Sequence, residues 1–170
     1  MKTKTYGNHL HPALEQLKRN TSLWIGHMNA GPKDHFAGQT FQCPDTGELN
    51  GIQVYSIAVS HPGKMVMTLH EFDRQTKKWG PAITSSEIMV NKTDAENWLR
   101  FPLTSIPLYK DNTYGFRLTS PDTLVAIGEA AWPSESPFAY GEEWNTNNVE
   151  KKEHYYRYFS LAFKVGLKAA

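Results

Sequence analysis

Three features of the chain predict an all-β protein. Apolar and polar residues alternate in short runs, turn residues separate those runs at roughly regular intervals, and aromatic residues, which favour strands, make up 12% of the sequence. From residue 36 onward no ten-residue helical segment lies between the runs, which argues against a parallel α/β sheet. The expected fold is a jelly-roll-like antiparallel β-sandwich of about eight strands, carrying a short N-terminal helical arm. Residues 1–35 are assigned to that arm, packing on the domain, and residues 36–170 to the β-sandwich domain. A chain of 170 residues is long enough to bury a sizeable single core.

In the arm, Pro12 suits the first turn of a helix. Leu10, Leu14 and Leu17 recur at a spacing that places them on one helical face, with Glu15, Lys18 and Arg19 elsewhere. Asn20, Thr21 and Ser22 stop the helix, and Leu23, Trp24 and Ile25 form an apolar cluster after it. The first strand covers residues 36–43 and ends in the turn Pro44-Asp45-Thr46-Gly47. In the second, residues 49–59, Ile52 and Val54 alternate with Gln53 and Tyr55, and His61-Pro62-Gly63 breaks the run. Met65, Met67 and Leu69 set the third strand, whose alternation slips at Phe72 and predicts a bulge or an end there.

A weaker strand follows over residues 81–90. Leu99, Phe101 and Leu103 share a face of the next, in which Pro102 calls for an edge position. Tyr114, Phe116 and Leu118 line one face of residues 113–119, and Gly115 leaves a gap opposite. Residues 124–129 form a short apolar strand. The last run, residues 155–167, puts Phe159, Leu161, Phe163 and Val165 on one side. Between these two strands lies a long loop holding Trp132, Phe138, Tyr140 and Trp144. Loops longer than about 12–15 residues are uncommon in compact domains and tend to be functional or disordered; this density of rings argues against disorder.

With 18 basic and 17 acidic side chains, the net charge of +1 gives no overall field towards phosphate or anionic lipid. Neither nucleic acid nor membrane is an expected partner. Cys43 is the only cysteine, which excludes an internal disulfide and a cysteine-built zinc site within one chain. No apolar run has the length of a leader or a membrane helix, so the expected location is cytoplasmic, or extracellular if a leader precedes this sequence.

Gly38-Gln39-Thr40-Phe41, followed by Gly47-Glu48-Leu49 leading into Ile52-Gln53-Val54-Tyr55, resembles the opening of a widespread bacterial jelly-roll module of the galactose-binding or carbohydrate-binding type. Tyr114-Gly115-Phe116-Arg117-Leu118, Phe138-Ala139-Tyr140-Gly141 and Ser160-Leu161-Ala162-Phe163-Lys164-Val165 are similar to later parts of that module, in order. The resemblance spans about residues 36–167. It implies a β-sandwich without a catalytic constellation, often serving adhesion or glycan binding and often of no assigned function. The N-terminal segment departs from the pattern.

The loop rings supply the leading chemistry. Sugars stack their C–H faces on flat rings and need planar amide or carboxylate partners for their hydroxyls. Trp132, Phe138, Tyr140 and Trp144 could provide the platform, and Glu142, Asn145 and neighbouring acids and amides the hydrogen bonds. The competing reading folds these rings back to cap the sandwich. The expected function is therefore a non-catalytic binding module for carbohydrate. The alternative is a protein-interaction or assembly subunit, including a homo-oligomer built through Leu14 and Leu17 of the arm.

A glycoside-active enzyme is the third reading, with Glu71, Asp73, Glu129, Glu142 and Glu143 as available carboxylates. No catalytic residue is assigned. No metal site and no cofactor are expected: His9, His11, His27 and His35 are scattered, and a structural calcium on Asp45 or Asp73 with turn carbonyls has no EF-hand spacing behind it. The basic and aromatic run from Lys151 to Tyr158 reads as a charged loop entering a tyrosine-rich strand.

Overall fold

The computed structural model describes residues 12–27, 34–146 and 153–168. Its strands are, in order, β1 (Pro12–Gln16), β2 (Thr21–His27), β3 (Asp34–His35), β4 (Ala37–Gln42), β5 (Gly47–Val59), β6 (Gly63–Asp73), β7 (Lys78–Val90), β8 (Asn97–Phe101), β9 (Pro107–Leu108), β10 (Thr113–Thr119), β11 (Leu124–Ala131), β12 (Glu143–Thr146), β13 (Glu153–Tyr156), β14 (Phe159–Leu161) and β15 (Phe163–Lys168). A 3-10 turn, Lys92–Asp94, precedes β8.

These strands build two antiparallel sheets that form a sandwich. The larger sheet runs β1-β15-β5-β11-β2-β3, with β8 and β9 pairing to β5 and β14 to β11. The smaller runs β13-β12-β4-β10-β6-β7. Period-two alternation explains the interior: Phe41, Met67, Leu69, Tyr114 and Phe116 of the smaller sheet meet Ile52, Val54, Ile127, Phe163 and Val165 of the larger, all buried in one core. The register of β6 on β7 shifts between Leu69 and Phe72, where the sequence alternation slips. Pro102 lies just past β8, which pairs only with β5 and so forms an edge.

The gap opposite Tyr114 and Phe116 is filled from outside. The Trp79 indole lies across Gly38 and Gly115, so closely that a Cβ on Gly115 would come within 2.4 Å of the ring. Trp79 then packs edge-on to His70, Phe72 and Trp144, with the Arg117 guanidinium 4.3 Å from its centroid.

The helical arm is not formed: the described residues contain no α-helix, and the segment read as helical is strand β1, paired with β15. A two-turn helix is marginal alone, whereas β15 offers a row of backbone donors and acceptors that β1 satisfies. Leu14 packs on the core while Leu17 is exposed, so the two do not share a helical face. Leu10 lies outside the described residues. The cluster Leu23, Trp24, Ile25 is period-two sequence in β2, with Ile25 buried and Trp24 turned outward. With β1 to β3 at one end of the chain and β12 to β14 breaking up its last third, the strands outnumber the eight expected.

Candidate functional site

The two sheets do not meet ring against ring everywhere. Alternation along β4 sends Gln39 inward between Ala37 and Phe41. Along β11, Glu129 continues the inward face of Val125 and Ile127, and on β12 the residue opposite Gln39 is Glu143. Asn145, two residues further along β12, points the same way. A polar layer thus forms inside one part of the sandwich. The Leu161 backbone N–H donates to Gln39 Oε1 at 3.0 Å, and Asn145 Nδ2 donates to Glu143 Oε2 at 3.1 Å.

Glu129 and Glu143 come from opposite sheets and meet as a carboxyl pair. Glu143 is 0% exposed and Glu129 6%. Burial, then the hydrogen bond and charge of Glu129, push the Glu143 carboxyl well above its ordinary value of 4.5, while Asn145 acts in the opposite sense. Two carboxyls in contact cannot both ionise readily, so Glu143 holds its proton to higher pH than an ordinary glutamate. Burial and the Glu143 charge also raise the phenol of Tyr156, which stands opposite Glu143 on β13. No donor of the described residues reaches Glu143 Oε1, which leaves Glu129 as its neighbour.

Beside this pair opens an inter-sheet cavity of about 730 Å³, within the range of about 300–1,000 Å³ usual for small-ligand sites. The larger sheet and its ends contribute Leu23, Trp24, His35, Leu124, Glu129 and Phe159. The smaller sheet and the residue leading into it add Phe36, Asn145, Thr146 and Tyr156. The walls are mainly apolar, and Glu129 and Asn145 bring the polar layer to the surface of the space.

The aromatic loop takes a different course from an open platform. It is stitched to β4: the N–H of Gln42 donates to the Tyr140 carbonyl and that of Thr40 to the Glu142 carbonyl, at 2.8 and 2.9 Å. Gly141 permits this approach, since a Cβ there would lie 1.8 Å from the Thr40 oxygen. Phe138, 7% exposed, joins the core against Phe163. Trp144, 6% exposed, lies on the outer face of the smaller sheet between Phe72, Trp79 and Tyr155. Tyr140 is 61% exposed, Trp132 is half-buried with the Lys18 ammonium 5.7 Å from its ring, and Glu142 pairs with Lys77. Of the six expected ligand residues, Asn145 alone lines the cavity; Phe138 and Tyr140 border a separate shallow recess with Leu17 and Lys18.

The remaining candidates are dispersed. Asp73 caps its own turn by accepting from the backbone N–H groups of Thr76 and Gln75, which hold its carboxyl below the usual value. Among the described residues no three His, Cys, Asp or Glu are grouped to hold a metal ion. His9 and His11 lie outside the described residues, as do Lys151 and Lys152. No described helix is long and apolar enough to cross a membrane. The acid pair went unrecognised in the sequence as a pair, although the shared parity of Val125, Ile127 and Glu129 was its legible half. No family model and no curated protein matches this chain.

Proposed function

We propose that the protein is a non-catalytic binding module of jelly-roll type whose ligand is a small molecule held between the sheets. One observation carries this reading: a cavity of about 730 Å³ is lined by Glu129, one of a buried carboxyl pair whose other member, Glu143, has an oxygen that no donor of the described residues reaches. Apolar walls around a few polar groups suit a compact molecule with an apolar body and a donor-bearing head. Hydrolysis of glycosides draws no support from the pair, because its carboxyls touch, whereas glycosidases hold theirs about 5–9.5 Å apart. The test is a backbone amide NMR titration with neutral fragments such as indole and 2-phenylethanol. Shifts confined to Leu23, Asn145 and Tyr156, lost in Leu23→Trp, support the reading. Silence at these amides in the folded wild-type protein rejects it.

A saccharide bound on the outer loop is the second reading, favoured by the exposure of Tyr140 beside the recess with Leu17 and Lys18. It agrees with the carbohydrate-module resemblance. Glycan-array binding abolished by Tyr140→Ala and Trp132→Ala, with no shift at the cavity amides, would favour it over the first.

A further inference from the structure

We infer that the inter-sheet cavity takes an organic cation, an ammonium or amidinium group on an aromatic or branched aliphatic body, with its charged head on Glu129. This rests on the reading that the cavity is the binding site, and it adds the charge of the occupant. Glu129 lines the cavity, is almost fully buried, and meets the Glu143 carboxyl. The ion pairs Lys64 with Glu87 and Lys77 with Glu142 lie elsewhere.

A carboxylate on a cavity wall, removed from water, demands a cation or several donors. Asn145 Nδ2 donates to Glu143 Oε2. A cationic head on Glu129 meets this demand. An alcohol can donate a hydrogen bond but leaves the charge uncompensated, and an anion adds a second one. The rings of Phe36, Tyr156 and Phe159 surround the space and suit a cation attached to an apolar body.

The titratable groups around the pair are few. β13 brings Tyr156 and, opposite Asn145, His154; β3 brings His35 to the cavity wall. From β4, β14 and β2 the neighbouring polar residues are Gln39, Ser160 and Thr21, none of which titrates. A docked cation favours the ionised form of the raised Glu143 carboxyl, so binding releases protons and tightens as pH rises above the ordinary glutamate range.

The experiment is isothermal titration of the whole chain with three matched probes: 2-phenylethylammonium, 2-phenylethanol and 3-phenylpropanoate, each in two buffers of different ionisation enthalpy. The cation should bind about tenfold or more tighter than the alcohol, release a proton, and lose its advantage in Glu129→Gln, while the anion stays silent. Equal binding of cation and alcohol to the wild-type protein overturns the inference and leaves the cavity reading standing, as does preference for the anion. No binding by any probe, with silent cavity amides, removes both. The wild-type comparison decides the matter even if the Gln variant misfolds.

Discussion

Phe41, Phe116 and Phe163 fill the middle of the sandwich ring against ring, whereas Gln39, two residues along β4, and Glu129 and Glu143 on β11 and β12 put amide and carboxyl groups into the same interior. Both regions arise from one rule, the inward turn of every second residue. They differ in what the interior gains. Ring burial in the first region is the main favourable term of folding. The second region opposes folding, because a carboxyl removed from water is costly unless it is neutralised or paired. Here the raised proton affinity of Glu143 offsets part of that cost, and the cavity beside the pair is where the remainder can be satisfied. Groups kept at the expense of stability, next to empty space, are what makes the polar region the candidate site.

The sharpest way to break this contrast is Phe163→Ala. It removes the ring that touches Phe41, Phe116 and Phe138, and should cost about 3–5 kcal/mol in urea unfolding. A loss as small as that of a surface change would deny the apolar region its structural role. Next is Gly115→Val, which touches neither interior region but forces Trp79 off its seat; overpacking of this kind costs about 1–3 kcal/mol and should change the tryptophan emission.

Glu143→Gln should act with the opposite sign. The folded-state carboxyl is raised, so above about 4.5 the folded protein binds more protons than the unfolded chain, and stability falls as pH rises through that window. Below it the contribution is fully present. The amide cannot ionise, so the variant should match wild type at pH 4 and exceed it by about 1 kcal/mol at pH 8, with a flatter profile by thermal unfolding. Parallel profiles would remove the raised carboxyl from the polar region. The smallest effect belongs to Lys64→Ala, whose exposed partner Glu87 should leave stability within about 0.5 kcal/mol.

Much of the apolar region is legible in the sequence. β10 begins and ends where the alternation does, and the Gly115 gap and the slip at Phe72 each have a structural counterpart. The arm was not legible because Leu14 and Leu17 satisfy a helical spacing by coincidence, and the free edge of β15, which decides for a strand, is far away in the chain. The polar region was half legible. Glu129 sits in a clear strand, but Glu143 and Asn145 belong to a four-residue strand inside what reads as a loop, and their partner is in the other sheet. Trp144, the most conspicuous loop residue, points outward between the two that matter for the cavity. No local pattern reports a meeting across sheets.

The most direct test is a 13C NMR titration of the side-chain carboxyls of glutamate-labelled protein, with Glu129→Gln and Glu143→Gln assigning the two signals. A pair sharing one proton predicts that Glu143 changes its shift well above pH 4.5 and that replacing Glu129 lowers that transition. Two independent transitions near the ordinary glutamate value, each indifferent to the other substitution, would contradict it.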